Sequence, residues 1–185
     1  MWTSRASTIR KIMTLAVLCL PCLAYPELRQ VPFNCDGKTC HHTLPVLQPL
    51  KGWHLDRGQN NDIDATVFVP DGYNIDTAEH IIYARALSKP LISDNPLLTH
   101  FIAMEKADFA EVYPGVAITE VNPIQSASGN KMRSLVLVPK AKGKWEQVTY
   151  SEEGGHFIVV TLSAKTEKAY KSGRGAYYEM LGSYR

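Results

Sequence analysis

Cys35, Cys40, His41 and His42 crowd into one short segment, Cys35-Asp36-Gly37-Lys38-Thr39-Cys40-His41-His42. These side chains can close a disulfide, bind a metal or attach a haem. Asp36-Gly37 is a turn signal, so the two sulfurs can meet across a tight loop. Two thiolates and two imidazoles also match zinc or copper ligand types. Adjacent histidines rarely reach one ion together, however, and oxidation would consume the thiolates. Covalent haem attachment uses Cys-x2-Cys-His, whereas the spacing here is Cys-x4-Cys-His. The turn favours a Cys35–Cys40 disulfide with no cofactor. A metal or haem site on Cys35, Cys40, His41 and His42 is the alternative chemistry.

The other reactive types are scattered. Glu79 and His80 are neighbours in a strand pattern and point to opposite sides, which reads as a solvated position. His100 falls on a helical surface and His156 at an exposed turn edge. Asp56, Asp62, Asp64 and Asp71 flank the loop Arg57-Gly58-Gln59-Asn60-Asn61, and their spacing fits a solvated loop better than a calcium loop. Ser126-Ala127-Ser128-Gly129 lacks the Gly-x-Ser-x-Gly of a nucleophile elbow. Gly154-Gly155 and Gly173-x-Gly175 form neither a phosphate loop nor a dinucleotide fingerprint. No coherent nucleophile, base and acid emerge, which points away from an enzyme. It leaves open a site assembled from dispersed residues such as His54, Asp56 and His156. Tyr170, Tyr177, Tyr178 and Tyr184 crowd the C-terminal helix pattern as core aromatics with hydrogen-bonded hydroxyls, and Tyr178, off the apolar stripe, is placed to line a contact surface.

The chain that must position these residues has 185 residues, 45% hydrophobic and 21% charged, enough for one domain with a core. Its start is set apart. Arg5, Arg10 and Lys11 precede an apolar run from Ile12 to Leu20, then Pro21 and Cys22-Leu23-Ala24. This reads as a secretory signal peptide over 1–24, cut after Ala24. The run is shorter than the roughly 20 apolar residues of a bilayer span. Neither Leu18 nor Pro21 supplies the small residue a lipoprotein needs before Cys19 or Cys22. Cleavage removes three basic residues and leaves seventeen basic against eighteen acidic, a formal net charge of −1. That balance argues against nucleic-acid binding. Cys35 and Cys40 then remain as an even pair in an oxidising compartment.

Residues 25–50 are proline-dotted and aperiodic, and read as an extended arm around the cysteine loop. The globular domain spans 51–185. Strands are predicted at Trp53-His54-Leu55, Asp64 to Pro70, Glu79 to Ser88, Val116 to Val121, Met132 to Val138, Lys144 to Tyr150 and His156 to Leu162. Helices are predicted over about 95–112, where Asn95 caps and Pro96 takes the first position, and 164–184, with Ser163 as cap. His156 to Leu162 is apolar on both faces, the mark of a central strand. Ala169, Gly173, Ala176, Tyr177, Met180, Leu181 and Tyr184 form the stripe of the last helix. The class is α+β: a mostly antiparallel six- to seven-stranded sheet covered by two main helices, preceded by a signal peptide and an extended arm.

Trp53 near the domain start, the strand meander, and Phe157-Ile158-Val159-Val160-Thr161-Leu162-Ser163-Ala164 running into a Tyr-rich helix resemble the PsbP/Mog1-like α/β/α sandwich, as do many exported bacterial proteins of unknown role. The resemblance covers residues 50–185 in element order, with its wording in about the last thirty residues. It implies a binding or accessory module that docks on partners, and it assigns no site residue. The expected function is an exported, non-enzymatic binding or accessory protein, periplasmic or extracellular, without a stable membrane span after signal removal. Its expected partner is a protein or another cell-envelope component. A metal or haem carrier, or an enzyme with a dispersed site, is the alternative.

Overall fold

The computed structural model describes residues 28–56, 64–92, 97–141 and 143–185. The expected signal peptide, the Arg57–Asn61 loop with Asp62, and the Asn95-Pro96 helix start lie outside the described residues.

A hairpin, β1 (Leu28–Cys35) and β2 (Lys38–Pro45), opens the chain. There follow β3 (Trp53–Leu55), β4 (Thr66–Pro70), β5 (His80–Ser88), the single turn α1 (Lys89–Ile92) and α2 (Leu98–Val112). The chain ends with β6 (Ala117–Gln125), β7 (Lys131–Val138), β8 (Trp145–Glu153), β9 (His156–Ala164) and α3 (Glu167–Ser183). Strands β3 to β9 make one antiparallel sheet in the order β3-β4-β5-β9-β8-β7-β6. The α+β class, the sheet and both main helices are as the sequence predicts.

β9 is the middle strand of seven. Its side chains alternate between two cores. Ile158, Val160 and Leu162 pack under α3 with Ile82, Tyr177, Met180 and Leu181. Phe157 and Val159 pack under α2 with Phe101, Ile102, Leu135 and Tyr150. Period-two alternation with both faces covered accounts for its nearly uninterrupted apolar run. Gly154 and Gly155, at φ 53° and 80°, make the two-residue turn from β8, since a turn of this hand needs positive φ at both central positions.

Two local expectations give way. Ser163 does not cap α3. It is the penultimate residue of β9, and its hydroxyl donates to Glu146 Oε1 at 2.7 Å. The cap is Thr166, whose Oγ1 accepts from Ala169 N at 3.1 Å. A buried carboxylate on β8 holds the Ser163 hydroxyl, so the strand runs on. The N-terminal arm is likewise a paired hairpin. Its turn residues Asp36 and Gly37 have φ 51° and 75°, and Asn34 Oδ1 accepts from Gly37 N at 3.0 Å. It rests on the main sheet through buried Leu44, with Thr66 Oγ1 donating to Pro45 O at 3.2 Å.

Candidate functional site

The hairpin brings Cys35 and Cys40 together as a disulfide with Cα atoms 5.9 Å apart. It separates the two histidines. His42 stacks on Phe33, ring centroids 3.8 Å apart, and its Nδ1 lies 3.1 Å from Asp64 Oδ1. His41, next along the strand, points to the opposite face and is exposed. With the sulfurs joined and the imidazoles diverging, these four residues do not present a ligand set. Among the described residues no group of three or more His, Cys, Asp or Glu side chains could hold a metal ion.

His54, Asp56 and His156 are not brought together. Leu55 is level with Phe68, Ile82 and then Leu162 across three ladders. His156 lies six residues earlier on β9, about 20 Å at the ~3.3 Å rise of a strand. His54 meets Asp71 at 3.2 Å, Asp56 Oδ2 accepts from Ile75 N at 2.9 Å, and His156 Nδ1 lies 2.9 Å from Gly154 O. His80 departs from its solvated reading. Its ring meets Trp53 edge-on and lies against Gly173, its Nδ1 is buried without a hydrogen-bond partner among the described residues, and desolvation lowers its pKa. The close approach of α3 at Gly173 is what covers it.

Under α3 the sheet carries a chain of polar groups that sequence patterning passes over. Tyr177, fully buried, has one hydroxyl proton and two partners: the Val160 carbonyl oxygen at 2.8 Å and Thr149 Oγ1 at 2.6 Å. A carbonyl only accepts, so Tyr177 donates to Val160 and accepts from Thr149. Thr149 in turn accepts from Ser134 Oγ at 2.9 Å, and Ser134 accepts from Gln147 Nε2 at 3.0 Å. That order fixes the Gln147 amide: its nitrogen faces Ser134 and its oxygen faces α3. Tyr170 then donates to Gln147 Oε1 at 3.1 Å. Burial raises the pKa of Tyr170 and Tyr177, so both phenols stay protonated.

This chain surfaces in an open groove of about 640 Å³ between β6 and α3. Val136 and Ile124 form its apolar floor, Thr119, Val121, Asn122 and Pro123 one wall, and Tyr170, Arg174 and Tyr178 the other. A register shift between Val121 and Ile124 bends β6 here, and the bulge leaves Pro123 without a ladder obligation. The helical spacing Tyr170-x3-Arg174-x3-Tyr178 aligns the three side chains. The guanidinium sits 5.8 Å from the Tyr170 ring centre and 5.5 Å from that of Tyr178, and donates to Tyr178 Oη at 3.3 Å. Tyr178 lines a surface, as its place off the stripe suggests. Arg174, Gln147 and Ser134 were missed, although the Tyr-Arg-Tyr spacing and an inward-facing Gln147 between Trp145 and Thr149 were legible signals.

The α2 face has its own ionisable groups. Glu146 is 8% exposed, and desolvation raises its pKa against the Ser163 hydrogen bond and the nearby Lys144 charge. Tyr83 is pushed up to about 12, chiefly by burial. Glu105 is raised by burial and by Asp108. The buried Tyr150 hydroxyl has no hydrogen-bond partner among the described residues.

No family model matches the chain, and no curated protein does. Among solved structures it is similar to the Ran-binding protein Mog1p of Saccharomyces cerevisiae, with 13% sequence identity, a TM-score of 0.46, and 85% of this chain and 93% of that chain covered. Among the described residues no helix is long and apolar enough to cross a membrane.

Proposed function

We propose that this protein is an exported, non-enzymatic binding or accessory module, periplasmic or extracellular, and that it holds a protein partner of the cell envelope in the groove between β6 and α3. The observation that carries the reading is the groove itself. It has an apolar floor, an aromatic wall and an arginine with no ion-pair partner among the described residues, over a polar chain in which every hydroxyl is used. Pre-satisfied polar groups beneath an exposed aromatic and arginine surface suit recognition. Export is supported by the basic and apolar start of the chain and by the Cys35–Cys40 disulfide, which persists in oxidising compartments.

One experiment tests both parts. The full chain, with a photo-crosslinking residue in place of Tyr178 or of exposed Lys171, is expressed in its host and recovered from each compartment. Intact mass is expected to show a product beginning at Tyr25, two hydrogens lighter than the reduced chain, with adducts to an envelope protein at position 178 and none at 171. A full-length cytoplasmic product overturns the export reading. Equal or absent adducts at the two positions overturn the groove.

A further inference from the structure

The direction of the buried hydrogen-bond chain determines what the groove offers a ligand. Gln147 Oε1 is already served by Tyr170 at 3.1 Å, while Tyr178 Oη lies 3.2 Å from Gln147 Nε2 and 3.3 Å from an Arg174 nitrogen. Tyr178 therefore accepts from both, and its own proton goes to Gln147 Oε1 at 3.4 Å, the longest bond of the set and the one a ligand can most easily replace. The Arg174 guanidinium lies at the same end, its carbon 5.8 Å and 5.5 Å from the Tyr170 and Tyr178 ring centres, and only one of its N–H groups is taken up by Tyr178 among the described residues. This end of the groove presents a positive charge. None of its lining residues is a carboxylate.

We infer that the groove binds an extended peptide segment of a protein partner that places an Asp or Glu carboxylate on Arg174 and Tyr178 and an apolar side chain on Val136 and Ile124. A planar guanidinium held beside two tyrosines, with no ion-pair partner among the described residues, matches a carboxylate. An ammonium ligand would be repelled by the Arg174 charge and would find no carboxylate in the lining. The openness of the site selects the segment over a small acid. Arg174, Thr119, Asn122 and Pro123 are all exposed, so the walls would leave much of a small molecule in water, where closed pockets bury most of a small ligand. An extended chain crossing between β6 and α3 reaches floor and rim together. The inference rests on the groove being the binding surface.

The test uses the full disulfide-bonded chain against a random heptapeptide display library at low salt, followed by titration of the enriched peptides by NMR. The expected result is enrichment of one acidic residue flanked by apolar ones, with shifts at Thr119, Val121 and Tyr178. Arg174→Gln should then lose at least about tenfold in affinity, the ~1.4 kcal/mol of one decade, and Tyr178→Phe less. Arg174→Gln should keep the thermal midpoint of the parent, because its side chain lies at the groove surface, whereas Tyr178→Phe should lower it slightly, since buried Gln147 loses a partner. Peptides that bind at the groove without acidic preference, or equally to Arg174→Gln, overturn the carboxylate and leave the groove standing. Peptides that shift no groove residue overturn both. Hexanoate binding as tightly as the peptides would make the occupant a small acid and overturn the peptide.

Discussion

Gly173 and Gly175 sit on the same helix under opposite constraints. A Cβ on Gly173 would come within 2.8 Å of both His80 Cδ2 and Leu162 Cδ1, while nothing lies within 4 Å of one on Gly175. The helix gains up to about 1 kcal/mol from alanine at either position, but overpacking costs about 1–3 kcal/mol. Gly175→Ala should therefore raise the urea midpoint, and Gly173→Ala should lower it, with a net loss of stability of up to ~2 kcal/mol. Equal gains would mean that the helix does not press on His80. Glu146 gives a second residue-level prediction. Its folded pKa lies above the unfolded value near 4.5, so its contribution is most favourable below that pH and is lost as pH rises through the folded pKa. Glu146→Gln keeps an oxygen for the Ser163 hydroxyl and removes the buried charge. Thermal melts should show the variant more stable than the parent at pH 7 and level with it below pH 4.5, and a parent more stable at pH 7 would refute the burial argument. At this scale the sequence was readable where a residue's neighbours are local, as with Tyr178 on its helix. It was opaque where they come from a distant element, as Ser163 on β9 is held by Glu146 on β8 and His80 on β5 is covered by Gly173 on α3.

The elements were legible in proportion to their periodicity. Thr77 to Ser88 is also compatible with a helix by composition, since Ala84 and Ala86 favour one, yet Ile82 and Ala84 are buried between β4 and β9, and pairing decides for the strand. The hairpin was hidden because its prolines argue against strands in general. Pro32 faces His41 in a two-stranded ribbon, where each strand has a free edge that tolerates a missing N–H. Such a ribbon is marginal by itself. The disulfide closes a six-residue loop, and in the chain-entropy account this is worth about 2 kcal/mol. Paired Cys35→Ser and Cys40→Ser substitutions should therefore raise amide exchange through Leu28–Cys35 and Lys38–Pro45 while leaving β8 and β9 protected. Loss of protection in β9 as well would show that the hairpin is integral to the main fold.

For the whole molecule, the decisive feature is the insertion of β9 between β5 and β8. The sequence announces a hairpin from β8 to β9, through Gly154 and Gly155, but nothing local says that the other edge of β9 goes to β5. That pairing runs from His80↔Ala164 to Ser88↔His156 and joins the first half of the domain to the last. It also makes one strand the shared floor of both cores: Ile158, Val160 and Leu162 belong to the α3 side, Phe157 and Val159 to the α2 side. If the two layers stand on a common strand, neither can open fully without exposing the other. Exchange of β9 amides should then proceed only through global unfolding, with a free energy equal to that from urea denaturation, whereas β6, at the sheet edge and largely exposed, should open at lower cost. Val160→Ala and Val159→Ala, which trim opposite faces of the strand, offer a sharper version. Each should lower protection across α2 and α3 alike by the same increment, as expected of one cooperative unit. Confinement of the Val160 effect to α3, or of the Val159 effect to α2, would show that the molecule folds as two layers that merely share a sheet.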